Sequence, residues 1–140
     1  SKLCTVDFDF GKTGIAICFD IRYPMQFRDM VKLGVKMIVL PTAWIFPHEQ
    51  LKDPDFRQDC VDIWRAMAKT RAYDNEVYFV VCNQTGVISP VMEGLGNSMV
   101  VSPYGKIEES LDTIEGVIKA DIDFNKVDIA RDEFPVHELI

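Results

Sequence analysis

Apolar and polar residues alternate from Thr5 to Phe10, Gly11 interrupts the alternation, and Gly14 opens a second apolar segment, Ile15-Ala16-Ile17-Cys18-Phe19. This pattern predicts two neighbouring strands, the second apolar on both faces, as a central strand covered on both sides would be. Pro24 suits the first turn of a helix, with Phe27, Met30 and Val31 on one face and Gly34 as its stop. The run Val35 to Pro41 follows directly as a strand. Strand, helix, glycine and strand in this order make a βαβ unit, whose two strands pair in parallel.

From Thr42 to Asp55 two prolines interrupt a stretch without a sustained period, which predicts a loop at the C-terminal end of the preceding strand. Function often sits in such loops. Asp53-Pro54 predicts the start of a long helix, in which Cys60, Ile63, Trp64, Met67 and Arg71 take the spacing of one buried stripe. Val77 to Cys82 reads as a strand, 83–95 as irregular, and Asn97 to Val101 as extended. Ser102-Pro103-Tyr104-Gly105 has Pro and Gly where a type I turn prefers them, so a hairpin follows, with Lys106 to Leu111 and Gly116 to Ile122 as return strands. Asp123 is placed to cap a last short helix ending near Phe134-Pro135. The whole predicts a mixed α/β layer structure, and 140 residues suffice for one core.

Composition excludes several classes of partner. Lys and Arg total 15 against 22 Asp and Glu, a net charge of -7, and no basic stripe is present to track phosphates, so nucleic acid is not expected. The longest apolar runs fall far short of the roughly 20 residues that cross a bilayer, so no membrane partner is expected. Cys4, Cys18, Cys60 and Cys82 are widely spread without a Cys-x-x-Cys pair, which disfavours a metal site. With 48% apolar residues the core needs no disulfides, and reduced thiols in a cytoplasmic setting are the simplest expectation.

The candidate chemistry lies at Cys18, at the end of a central strand just before a turn into a helix. Such a turn projects a side chain clear of the sheet, frees N–H groups to hold an oxyanion, and sets the sulfur near a helix N-terminus that favours the thiolate. The plain alternative is packing, since cysteine is among the most buried residue types. Cys4, Cys60 and Cys82 keep that plain reading, Cys60 on a helical stripe and Cys82 inside an apolar strand.

The stretch Gly14-Ile15-Ala16-Ile17-Cys18-Phe19-Asp20-Ile21-Arg22-Tyr23-Pro24 resembles the nucleophile motif of the nitrilase superfamily of carbon–nitrogen hydrolases. Three further segments resemble the family in the right order: Val39 to Trp44, Arg71 to Tyr78, and Gly96-Asn97-Ser98-Met99 through Pro103-Tyr104-Gly105. The resemblance implies an α/β fold, half of a four-layer αββα sandwich with a mixed sheet, that commonly pairs across a helical face into a homo-oligomer. In that family a Glu is the general base, a Lys steadies the tetrahedral intermediate, and the Cys attacks an amide or nitrile carbon to give a thioester that water cleaves. Carried onto this chain, Cys18 is the nucleophile and the backbone N–H of Phe19 the oxyanion donor. Thr42, Ala43 and Trp44 fall on the substrate-side loop, although Trp44 also suits core or dimer packing. Arg22 either holds a substrate carboxylate or forms an internal ion pair.

The family's Glu and Lys lie upstream of the cysteine, where this chain has only 17 residues. Neither Lys2 nor Lys12 takes the Lys role. The expectation is therefore a single partial domain over residues 1–140, the N-terminal half absent, and inactive alone. Met25 stands where many relatives have a Glu, whose loss removes about 0.3–1 kcal/mol from the first helical turn. Cys18-Phe19-Asp20 resembles the amidase and carbamoylase branches, where true nitrilases tend to have Cys-Trp-Glu. Small linear amides or N-carbamoyl compounds are the implied substrates, with no cofactor. His48 reads as an exposed loop histidine, His137 has no role, and Arg71, Asp74 and Glu76 read as an ion-pair cluster at a helix end. The rival reading is a non-catalytic homologue acting as a dimerisation or binding module, and a third is an unrelated α/β domain with a buried Cys18.

Overall fold

The computed structural model describes residues 3–139; Lys2 lies outside them. Strands β1 (Cys4–Phe8) and β2 (Gly11–Ile15) form an antiparallel pair. Helix α1 (Pro24–Lys32) then crosses to β3 (Met37–Thr42), which pairs with β2 in parallel. Next come β4 (Ile45–Pro47), the single-turn α2 (His48–Leu51), the long α3 (Pro54–Asn75) and β5 (Tyr78–Asn83), which runs parallel to β3. The chain finishes with β6 (Thr85–Ser89), β7 (Met92–Leu95), β8 (Met99–Val101), β9 (Ile107–Ser110) and α4 (Phe124–Glu133). Six strands form a mixed sheet in the order β1-β2-β3-β5-β8-β9, and three form a small antiparallel sheet, β4-β7-β6. No described helix is long and apolar enough to cross a membrane.

One face of the mixed sheet carries the main core. Ile38 and Leu40 of β3 and Phe79 and Val81 of β5 are buried against Phe27, Met30 and Val31 of α1 and Trp64, Ala68 and Ala72 of α3. Phe27 meets Phe79 edge to face, with ring centroids 5.5 Å apart. Gly14 lets Met30 of α1 lie close over β2, because a Cβ there would lie 2.7 Å from the Met30 sulfur. Asp53 caps α3 by accepting from the Asp55 and Phe56 N–H groups, and Asp123 caps α4 through Asn125.

Four expectations need correction. The second strand stops at Ile15, and Cys18–Arg22 form a turn of 3-10 helix. Residues 42–55 and 83–95 are not loops: β4 pairs with β7, and β7 with β6, in the small sheet. Their strands are three to five residues long, too short for a period to show. Residues 116–122, expected as a return strand, join no ladder. Finally, Trp64 of the expected α3 stripe is buried and Cys60 and Met67 pack against the core, but Ile63 is 60% exposed and the fully buried row is Val61, Trp64, Ala68, Ala72 and Asn75. The small residues allow α3 close to the sheet, so the less apolar row faces inward.

The rotated stripe has a direct test in thermal or urea unfolding. Ala68→Leu overpacks the helix–sheet contact and costs about 1–3 kcal/mol. Ile63→Ala changes stability by less than about 0.5 kcal/mol.

Candidate active site

The turn after β2 is held by a compact set of bonds. Ala16 N–H bonds to the Val39 carbonyl at 3.1 Å, so the chain stays beside β3 past the end of the ladder. Ile17 N–H donates to the Asp20 carboxylate at 2.8 Å, and Asp20 N–H returns to the Ile17 carbonyl at 3.0 Å. Gln26 donates to the Asp20 carbonyl at 2.8 Å. Between these bonds Cys18 adopts φ 49, the left-handed region. For a non-glycine residue that conformation costs about 1–3 kcal/mol and persists only where the surroundings over-determine it. The N–H of Phe19 lies in the first turn of the 3-10 segment, where no intrahelical acceptor precedes it.

Cys18 opens onto a cavity of about 480 Å³ shared with Phe19, Arg22, Ala43, Trp44 and Ile63. Its sulfur lies 4.0 Å from the Ala43 carbonyl oxygen. The Arg22 guanidinium carbon sits 5.5 Å from the Phe19 ring centre and 5.4 Å from that of Trp44. No carboxylate among the described residues pairs with Arg22, so the internal ion pair is not formed. Thr42 pairs with Asn83 across β3 and β5 and does not line the cavity. Lys12 contacts Asp7 at 3.5 Å on the β1–β2 pair, away from the cavity.

A family model described as Carbon-nitrogen hydrolase matches residues 2–132. The chain belongs to this family. Among similar proteins are a deaminated glutathione amidase of Dictyostelium discoideum, 25% identical over 97% of this chain and 43% of the relative. A 2-oxoglutaramate amidase of Paenarthrobacter nicotinovorans is 30% identical over 89% of this chain and 38% of its own. Among solved structures, Saccharomyces cerevisiae Nit3, a member of branch 10 of the nitrilase superfamily, aligns with TM-score 0.79 at 29% identity, covering 96% of this chain and 46% of Nit3. This carbon–nitrogen hydrolase chain thus has the nitrilase-type α/β fold of the amidase-like branch, and it spans less than half the length of these relatives.

The cavity rests on residues that the sequence pattern did not single out. Asn83, buried at the end of β5, accepts the Trp44 N–H at 2.8 Å and donates to the Gly96 carbonyl at 2.6 Å. Trp64 stacks on Trp44 at 5.3 Å and donates its indole N–H to the Asn97 carbonyl at 3.1 Å. The Ala43–Trp44 wall is thereby fixed from below. Asp59 and Cys60 of α3 also line the cavity. Cys60 packs against the core, as the helical stripe predicts, and also lines the cavity, where burial and the nearby Asp59 push its thiol up.

Three further expectations change. His48 is not a free loop histidine: its Nδ1 lies 2.6 Å from Glu93, whose other oxygen accepts from Arg57 at 2.7 Å. Cys82 is exposed rather than packed. Arg71 forms no ion pair with Asp74 or Glu76; its Nε donates to the Ile21 carbonyl at 2.9 Å. Glu76 instead faces His137, 3.4 Å away.

Glu93 is 13% exposed and ties β7 to the start of α2 and α3 beside the site. The Arg57 hydrogen bond, joined by His48, holds its carboxyl below the usual Glu value against the opposing effect of burial. A carboxyl depressed in the folded state stabilises fully above its unfolded value, and that contribution is lost as pH falls through the folded one. Glu93→Gln therefore lowers stability by about 1–2 kcal/mol at neutral pH. Melting curves of the two proteins begin to converge as the pH falls below the ordinary Glu value of about 4.3, and meet only below the lowered folded value.

Proposed function

We propose that Cys18 is the nucleophile of an amidase acting on a small linear amide or N-carbamoyl compound. The observation that carries this reading is the left-handed Cys18 at the tip of a parallel strand, its sulfur directed to a shared cavity. Strained residues of this kind cluster at reactive turns. The sulfur adds to the amide carbon while the Phe19 N–H holds the developing oxyanion. Collapse of the tetrahedral adduct leaves a thioester and releases the amine, which takes up a proton. Water then adds to the thioester, freeing the acid and returning the thiol.

In the family this chemistry also uses a Glu as general base and a Lys for the intermediate, roles that we assign to no residue of 1–140 and that set the requirement for turnover. Arg22, unpaired and seated over two aromatic rings, holds a carboxylate at the far end of the substrate. The relatives named 2-oxoglutaramate amidase and deaminated glutathione amidase support an amide over a nitrile. Trp44, Ala43 and the side chain of Phe19 bound the substrate channel, and Thr42 supports it through β3.

Alkylation of the intact chain by iodoacetamide at mildly acidic pH tests the nucleophile, with the exposed Cys4 and Cys82 as internal references. Peptide mapping is expected to find Cys18 modified at least about tenfold faster than either. Equal labelling of the exposed thiols, or none at Cys18, returns the chain to the binding-module reading. In a complemented, active protein, Cys18→Ser is expected to abolish turnover while leaving the melting temperature close to wild type.

A further inference from the structure

The turn that carries Cys18 has one polar tie to the long helix packed behind it. Ile21 is fully buried, and its carbonyl lies three residues before Pro24, which has no N–H to close a 3-10 bond. No backbone N–H elsewhere among the described residues reaches that oxygen. Arg71, fifty positions away on the last turns of α3, supplies the donor through Nε at 2.9 Å. Arg71 is itself well anchored. Its own carbonyl accepts from the Asn75 amide at 2.8 Å, and the neighbouring Ala68 and Ala72 are buried against the sheet.

We propose that Arg71 is a positioning residue for the reaction: by holding the Ile21 carbonyl it fixes the turn that aims the Cys18 sulfur and the Phe19 N–H at one point in the cavity. This rests on Cys18 being the nucleophile. A bare peptide oxygen in this buried setting must find a donor, and without one the turn relaxes toward water or toward a conformation with a different φ at Cys18. The segment between Ile17 and Tyr23 is short and already carries the strained residue, so a shift at Ile21 is passed to Phe19 and Cys18 and not absorbed on the way. Arg71 is half-buried, and its guanidinium reaches neither Asp74 nor Glu76, so its placement is explained by the carbonyl and not by an ion pair.

The donor atom makes the inference sharply testable. In Arg71→Gln the side-chain amide nitrogen falls at the position of Nε, keeping the bond to Ile21 without the charge. In Arg71→Met a methyl group occupies that position, keeping the stem but removing the donor. Two reactions of Cys18 are compared in the full chain. Acylation by p-nitrophenyl acetate, read as acetyl-Cys18 by peptide mapping, needs the Phe19 N–H aligned with the sulfur. Alkylation by iodoacetamide needs only the sulfur.

The expected result is a fall of about tenfold in Cys18 acylation for Arg71→Met, alkylation within about twofold, and near wild-type acylation for Arg71→Gln. If acylation and alkylation move together, or neither moves, Arg71 is only a brace and the proposal is overturned. If Arg71→Met fails to fold, Arg71→Lys gives the same comparison, since its nitrogen lies one bond beyond the required position while the charge is kept. Loss of acylation in Arg71→Gln with acylation retained in Arg71→Lys assigns the effect to the positive charge and also overturns the proposal. A wild-type chain that does not acylate at Cys18 at all sinks the nucleophile reading itself, which separates that failure from a failure confined to Arg71.

Discussion

Ile38, Leu40, Phe79 and Val81 point to one side of the sheet, and burying them against α1 and α3 obliges both crossover helices to lie on that face. Because β2, β3 and β5 run parallel, every chain segment leaving their C-terminal ends emerges along the same edge. The Cys18 turn, the Ala43–Trp44 wall and Asn83 are those three exits, and they meet there with no long connection needed. The cavity at that edge is thus a by-product of how the apolar rows are covered.

The same packing supports the strain at Cys18. A left-handed cysteine is stable only if its neighbours cannot relax, and here both sides of the turn are held: Ala16 to β3, Ile17 to Asp20, Asp20 to Gln26, and Ile21 to Arg71. Most of these are bonds to backbone groups. They fix the path of the chain and leave the sulfur and the Phe19 side chain free to face the cavity, where Arg22 rests on the aromatic surface of Phe19 and Trp44.

The two faces of the sheet are unequally covered. Apart from the main core, Tyr78, Val100 and Val127 form a smaller cluster with Ile118, Ala120, Ile122 and Phe124 packed against it. Ile17 and Cys82 are left in solvent. Strands that are apolar on both sides are suited to coverage on both sides, and the described residues cover the second face only in part.

What the amino-acid sequence by itself determined was local and periodic. Proline at position 24, glycine at 34 and the cap at Asp53 mark helix ends through backbone chemistry that needs no partner, and the βαβ order forces parallel pairing. The stretch Gly14 to Pro24 placed Cys18 between a strand and a helix, and the turn is there. Tertiary structure alone decided the rest, because each remaining feature depends on what a residue meets across the fold. Strands β4, β6 and β7 are too short to show a period and exist through their pairing with one another. The inward row of α3 was chosen by how closely Ala68 and Ala72 let it approach, against the larger side chains of the alternative row. Arg71 has acidic neighbours in sequence, yet its partner is a carbonyl fifty residues away, left without a donor by a proline.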